Sequence, residues 1–97
     1  MRYEDIPATR AADLANRGTQ VVDVRERHEF AGGSLPGVIN IPLSELPRRI
    51  GDLDRERPVA VICQSGQRSR RAAEMLVERD FRQVANVDGG LGAVRSW

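Results

Sequence analysis

Short apolar runs alternate along this chain with segments in which apolar positions recur every three or four residues. The apolar runs are rich in β-branched side chains and are bounded by glycine, proline or charged residues, so each predicts a short strand. Their nearly continuous apolar character is typical of strands that are covered on both faces. Strands are predicted at residues 20–24, 38–41, 59–62 and 83–87, with an edge strand at 2–6.

The intervening segments predict helices whose apolar positions share one face. Residues 8–17 end at Gly18, a residue type that commonly terminates helices, and Ser44 is expected to cap a helix that runs to Ile50. Because strands alternate with helices, the chain predicts an α/β fold with a mostly parallel sheet of about five strands, flanked by helices on both faces. Further helical segments are predicted at residues 25–31, from Ser69 to residue 78, and at the carboxyl end as far as Trp97.

Length and composition are those of one ordinary globular domain. The 97 residues suffice for a single core, so we expect one domain over residues 1–97. A net charge of +1 is too balanced to indicate a nucleic-acid partner. No apolar run has the length of a signal peptide core or a membrane span, so we expect a cytoplasmic protein without a membrane partner.

The residue types exclude several kinds of site. One cysteine and one histidine cannot form an internal disulfide or an all-Cys/His zinc site. All 15 basic residues are arginine, so Schiff-base chemistry and a Walker-type phosphate loop, which need lysine, are excluded. We therefore expect neither a metal nor an organic cofactor.

The single cysteine, Cys63, follows the predicted strand at 59–62 and begins a short polar loop that contains Gly66. Because the loop closes onto the amino-terminus of a predicted helix, its free backbone N–H groups favour an anion. With Arg68 nearby, such surroundings lower the pKa of a thiol from about 8.5 to roughly 3.5–7.5. The alternative is a buried structural cysteine. A core cysteine needs no polar loop, glycine or arginine, and we therefore favour a nucleophile.

Three motifs, in this order along residues 21–93, resemble those of the rhodanese domain, a sulfurtransferase family. Residues 63–69 (Cys-Gln-Ser-Gly-Gln-Arg-Ser) resemble its active-site loop. Residues 23–26, Glu29-Phe30 and residues 35–42 resemble its amino-terminal motif, and residues 88–90 with Ala93 resemble its carboxyl-terminal motif. The resemblance implies a rhodanese-like three-layer fold. This chain departs from the family pattern at Ser34, where histidine is common, and at Val94, where tryptophan is common. Trp97 is a candidate to take the place of that tryptophan in the core.

The resemblance implies a thiosulfate sulfurtransferase in which Cys63 is catalytic. Its thiolate takes the outer sulfur of a small anionic donor such as thiosulfate, becomes a persulfide, and passes the sulfur to cyanide or a thiol. The backbone amides of residues 64–69 are expected to hold the persulfide, while Arg68 orients the donor or pairs with an acid to brace the loop. Asp23 is expected to support the site by fixing Arg25. The predicted substrate-binding residues are Gln64, Ser65, Gly66, Gln67, Arg68 and Ser69.

Two alternatives to this reaction are compatible with the same residues. Phosphatases and arsenate reductases use a similar Cys–Arg loop with five intervening residues, whereas four lie between Cys63 and Arg68 here. A persulfide carrier or binding module that exchanges sulfur with a donor or acceptor protein is the other alternative. Gln64 and Gln67 favour it, because they are neutral where thiosulfate-preferring members of the family carry extra cations. A Cys–His pair with His28 is conceivable, but we expect His28 to face solvent.

Overall fold

Five parallel strands form the sheet in the computed structural model, which describes residues 2–93. The strands lie in the order β1-β5-β4-β2-β3, and the prediction of a mostly parallel sheet of about five strands is confirmed. Val94, Trp97 and the end of the predicted terminal helix lie outside the described residues. The strands are β1 (Glu4–Pro7), β2 (Gln20–Asp23), β3 (Ile39–Asn40), β4 (Val59–Ile62) and β5 (Val84–Asp88).

Four α-helices and four 3-10 turns connect the strands within the described residues. The α-helices are α1 (Ala11–Asn16), α2 (Arg27–Ala31), α3 (Leu46–Arg49) and α4 (Gln67–Glu78). The 3-10 turns cover Ala8–Arg10, Leu43–Glu45, Ile50–Asp52 and Gly90–Ala93.

All four α-helix starts within the described residues differ from the predictions: α1 begins at Ala11, after a 3-10 turn, rather than at residue 8, and α2 begins at Arg27 rather than at residue 25. The prediction that Ser44 caps a helix to Ile50 is wrong, because Ser44 lies inside a 3-10 turn and α3 begins after it with Pro47 in its first turn. Proline has no N–H to continue hydrogen bonding from a preceding turn, so the segment divides there. Helix α4 begins at Gln67, two residues before the predicted Ser69, because Gly66 already serves as its N-cap.

The core has two layers, one on each face of the sheet. Alternate residues of β4 point to opposite faces, as the strand geometry requires. Val61 belongs to the same buried cluster as Leu76 of α4, whereas Ile62 belongs to the opposite cluster, which includes Ala11 of α1. All the residues of β2 and β4 are buried, which explains the continuous apolar run of β4. The two polar residues of β2, Gln20 and Asp23, are buried with hydrogen-bond partners.

This arrangement fixes where a site can form. Strand β4 lies between β5 and β2, so its carboxyl end opens between the ends of two neighbouring parallel strands. Cys63 follows β4 directly, Asp23 ends β2 and Asp88 ends β5. Ligands of open parallel sheets bind at this edge. Among residues 2–93, no helix combines the length and the apolar character that crossing a membrane requires.

Candidate active site

Cys63 lies at the centre of the carboxyl edge of the sheet and has no solvent-exposed surface. The loop residues Gln64, Ser65 and Gln67 are exposed around it. A donor therefore reaches the sulfur only when the loop or the side chains that cover it move. Burial alone is typical of an inert structural cysteine, so the groups in contact with the sulfur decide its chemistry.

Two groups of its own loop lie within hydrogen-bond distance of the Cys63 sulfur. The Gly66 N–H donates to Sγ over 3.0 Å, and the Ser69 hydroxyl lies 3.5 Å from Sγ. Burial raises the pKa of the thiol, but the Ser69 hydroxyl and the amides of Ser69, Gly66 and Ser65 lower it, and the net pKa lies below its ordinary value. Three of the predicted substrate-binding residues thus act on the sulfur, and their hydrogen bonds stabilise the thiolate, which is the nucleophilic form of cysteine.

Two glycines shape the backbone that presents these donors. Gly66 has φ +101°, a left-handed conformation that turns its N–H toward the sulfur as α4 begins. Gly90 has φ +58°, and a Cβ atom there would overlap the Cys63 carbonyl oxygen and lie 2.8 Å from the Gln64 carbonyl carbon. Gly90 belongs to the motif at residues 88–90, but nothing local in that motif predicts this close approach.

The turn after β5 forms hydrogen bonds with the backbone of the cysteine loop. The Leu91 N–H donates to the Cys63 carbonyl over 2.8 Å, and the Gly92 N–H donates to the Gln64 carbonyl over 2.9 Å. Both bonds join segments that lie far apart in the sequence but at neighbouring strand ends. The absence of a side chain at Gly90 is what lets the two backbones approach so closely.

Arg68 forms a bidentate ion pair with Glu29 of α2. Nη1 donates to Oε1 over 2.7 Å and Nη2 donates to Oε2 over 3.1 Å. The hydrogen bonds from Arg68 lower the pKa of the Glu29 carboxyl to about 2, with a further contribution from the Glu26 N–H. The same hydrogen bonds raise the pKa of Arg68 above its ordinary value. Arg68 therefore braces the loop against α2, one of its two expected roles, while its role toward a donor stays a prediction.

Glu29 is a site residue that the sequence does not predict. It belongs to a motif, but nothing local in the sequence indicates that this carboxylate meets Arg68, 39 residues further along the chain. The one available signal was an acid in the segment after β2, whose carboxyl end borders that of β4.

Asp23 and Arg25 form a buried ion pair next to the cysteine loop. Arg25 donates to the Asp23 carboxylate from Nε and Nη2 at 2.9–3.1 Å, and Nη2 also donates to the Gly33 carbonyl over 2.7 Å. The Ser34 hydroxyl donates to Asp23 Oδ2 over 2.7 Å. Ser34 thus supplies a hydrogen bond at the position where the family commonly has histidine. The pairing of Asp23 with Arg25 is as expected, and its importance for activity stays a prediction.

His28 lies on the exposed surface of α2. The recorded contacts of the Cys63 sulfur are with Gly66 and Ser69, not with an imidazole. The arrangement within residues 2–93 favours a thiolate held by amides and a hydroxyl. In that part of the chain no group of three or more His, Cys, Asp or Glu side chains is placed to hold a metal ion.

Comparison with known proteins connects this geometry to a family. The family model described as the Rhodanese-like domain matches residues 7–96. The thiosulfate sulfurtransferase GlpE of Stutzerimonas stutzeri is 35% identical over 88 residues, which cover 91% of this chain and 81% of GlpE. A solved structure of a rhodanese-related protein from Thermoplasma volcanium matches with a TM-score of 0.83 and 37% identity over 93% of this chain and 88% of that chain.

Other relatives are longer than this chain. The putative sulfur carrier protein YrkF of Bacillus subtilis is 35% identical over 83 residues, or 86% of this chain and 43% of YrkF. A second Bacillus subtilis relative is 42% identical over 74 residues, and the match covers 59% of its length. The chain thus spans about half the length of these two relatives.

Replacement of Ser69 by alanine should raise the pKa of Cys63, because the thiolate loses the hydroxyl that offsets its burial. The pH dependence of Cys63 alkylation by iodoacetamide measures this pKa. Ser65→Ala is the matched control, since it removes a hydroxyl but keeps the amide, and its effect should be smaller. An unchanged pKa in Ser69→Ala would show that the hydroxyl does not stabilise the thiolate.

Replacement of Gly90 by alanine should destabilise the protein and displace the cysteine loop, because the new Cβ overlaps the Cys63 carbonyl and the backbone is left-handed. We expect a loss of about 1–3 kcal/mol in the free energy of unfolding, measured by urea denaturation. Gly51→Ala is the control, because a Cβ there meets no atom within 4 Å. Equal stability of the two variants would contradict the close approach at Gly90.

Proposed function

This chain belongs to the rhodanese-like domain family, and from that premise we propose that it transfers sulfane sulfur from a donor such as thiosulfate through a persulfide on Cys63. The observation that carries the proposal is the Cys63 thiol, whose pKa is lowered by the Ser69 hydroxyl and loop amides in spite of its burial. A thiolate is the nucleophile that sulfur transfer requires.

In the first step the Cys63 thiolate attacks the outer sulfur of thiosulfate. A bond forms between Sγ and that sulfur, the sulfur–sulfur bond of thiosulfate breaks, and sulfite leaves with the bonding electron pair. The product is a Cys63 persulfide whose negative charge lies mainly on the terminal sulfur. We propose that the backbone amides of residues 64–69 hold this charge, since they surround a loop that already donates to Sγ from Gly66.

In the second step an acceptor removes the terminal sulfur. Cyanide attacks it and leaves as thiocyanate, or a thiolate attacks it and leaves as a new persulfide. In both cases the electron pair of the broken bond returns to Sγ, so Cys63 leaves as a thiolate. The donors that stabilise the resting thiolate, the Gly66 N–H and the Ser69 hydroxyl, therefore also favour this departure. Asp23 and Arg25 support the site by fixing the loop that contains Gly33.

A persulfide carrier is the second candidate function. The similarity to the putative sulfur carrier protein YrkF favours it, as do the neutral Gln64 and Gln67, and the donor or acceptor would then be a protein. Either function requires a free Cys63 thiol, so we propose a reducing compartment such as the cytoplasm. We also propose that residues 1–97 form a single domain.

Incubation with thiosulfate should add one sulfur atom to the protein, and cyanide should remove it with formation of thiocyanate. Intact mass measurement follows both changes. Cys63→Ser should show neither, because a serine hydroxyl cannot form a persulfide, and its stability should stay within about 1 kcal/mol of the parent protein. Turnover by Cys63→Ser would overturn the mechanism, whereas loading without catalytic thiocyanate formation would favour the carrier.

The four residues between Cys63 and Arg68 should restrict the loop to sulfur chemistry. An aryl phosphate brings a tetrahedron of oxygens, which needs a wider ring of amides than a single terminal sulfur. We expect no Cys63-dependent hydrolysis of p-nitrophenyl phosphate. Insertion of one glycine after Gly66 should enlarge the loop and reduce sulfur transfer on the order of a hundredfold or more, because a misplacement of the amides by only about 1 Å can cost that much. Efficient phosphate hydrolysis that disappears in Cys63→Ser would contradict the assignment.

A further inference from the structure

The cysteine loop has one charged side chain, and a carboxylate neutralises it. Within residues 63–69 the only ionisable cation is Arg68, and both of its terminal nitrogens donate to Glu29. The Glu29 carboxyl has a pKa of about 2, so it is ionised at any pH at which the thiolate reacts. The pair as a whole carries no net charge.

The Glu29 carboxylate is held in place from two sides. Its Oε1 accepts a hydrogen bond from the Glu26 N–H over 2.9 Å as well as one from Arg68. The first bond belongs to a capping box at the start of α2, in which the Glu26 side chain in turn accepts from the Glu29 N–H. Glu29 is thus anchored to its own helix, so the position of its carboxylate does not depend on Arg68 alone.

Neighbouring arginines at the same edge of the sheet are paired as well. Arg25 is matched by the buried Asp23, and an Arg70 nitrogen lies 3.6 Å from an Asp88 oxygen. Arg71 lines a groove on the side of α4 together with Glu74 and Glu78. The loop therefore offers an anion its amides but little net positive charge. Thiosulfate brings two negative charges, whereas an alkyl persulfide brings at most one at its terminal sulfur.

We propose that Glu29 determines donor specificity: by neutralising Arg68 it disfavours the thiosulfate dianion and directs the site toward persulfide donors of low charge. This inference rests on the proposed function and names its preferred donor class. In the transfer, the Cys63 thiolate attacks the outer sulfur of the donor persulfide, a bond to Sγ forms, and the donor's sulfur–sulfur bond breaks. The donor thiolate leaves with the electron pair, and Cys63 becomes the persulfide.

Glu29→Gln tests the proposal, because it removes the charge while its amide oxygen can still accept from Arg68 and Glu26. The rate of sulfur loading is followed by intact mass with two donors, thiosulfate and the persulfide of β-mercaptoethanol. We expect the thiosulfate concentration for half-maximal loading to fall about three- to tenfold at low salt, with the limiting rate unchanged. Because Coulomb energy is proportional to charge, the persulfide, with half the charge, should gain only about two- to threefold.

Two further measurements separate charge from structure. The thiosulfate gain of Glu29→Gln should shrink in 1 M salt, where the screening length falls to about 3 Å. Glu56→Gln is the matched control, since it makes the same charge change at an exposed ion pair with Arg82 in the connection before β4, and its donor preference should equal that of the parent.

The double variant Glu29→Gln/Arg68→Gln removes both charges and should restore the parental ratio of the two loading rates, even if both rates fall. The proposal is overturned if Glu29→Gln slows loading equally with both donors, if its preference does not change, or if the double variant keeps the preference of Glu29→Gln. If Glu29→Gln does not fold, Glu29→Ala, which removes the same charge, takes its place, and an unchanged donor preference in that variant overturns the proposal. If the parent protein takes up sulfur from neither donor, the proposed function itself fails. If the parent is loaded but Glu29→Gln shows no shift in donor preference, only this inference is contradicted.

Discussion

The stabilisation of a charged sulfur without solvent contact is the constraint on which the rest of the site depends. Cys63 has no exposed surface, and an uncompensated buried charge costs several kcal/mol. The Gly66 N–H and the Ser69 hydroxyl provide the compensation, which requires the left-handed backbone at Gly66 and the immediate start of α4. The turn after β5 then fixes the loop by donating to the carbonyls of Cys63 and Gln64.

Ion pairs around this loop hold it in place without adding net charge. Glu29 anchors Arg68 to α2, and Asp23 anchors Arg25 and Ser34 to the end of β2. Such an arrangement relies on amide dipoles rather than on free cations to receive an anion. The groups that lower the pKa of Cys63 most strongly are the Ser69 hydroxyl and the loop amides. The charges of Cys63 and Arg68 attract each other and raise the pKa of Arg68, and the expectation that Arg68 favours the thiolate stays a prediction.

The sequence predicted those features that follow from local patterns. The buried strand before Cys63, the glycine in the loop and the alternation of strands with helices are each visible within a few residues, and they led to the parallel sheet and its functional edge. Contacts between distant segments were not predictable in the same way. The pairing of Arg68 with Glu29 and the approach of Gly90 to the Cys63 carbonyl depend on how strand ends are placed relative to each other, which no local periodicity encodes. Even the early start of α4 depends on the conformation of one residue, Gly66.

The central claim is that this loop holds a charged sulfur and receives one more sulfur atom on Cys63. A crystal structure determined after soaking with thiosulfate tests it most directly. The account predicts one additional atom bonded to Cys63 Sγ and surrounded by the amides of residues 64–69, with Arg68 still paired to Glu29. A free Cys63 thiol beside an intact tetrahedral anion in the loop would contradict it.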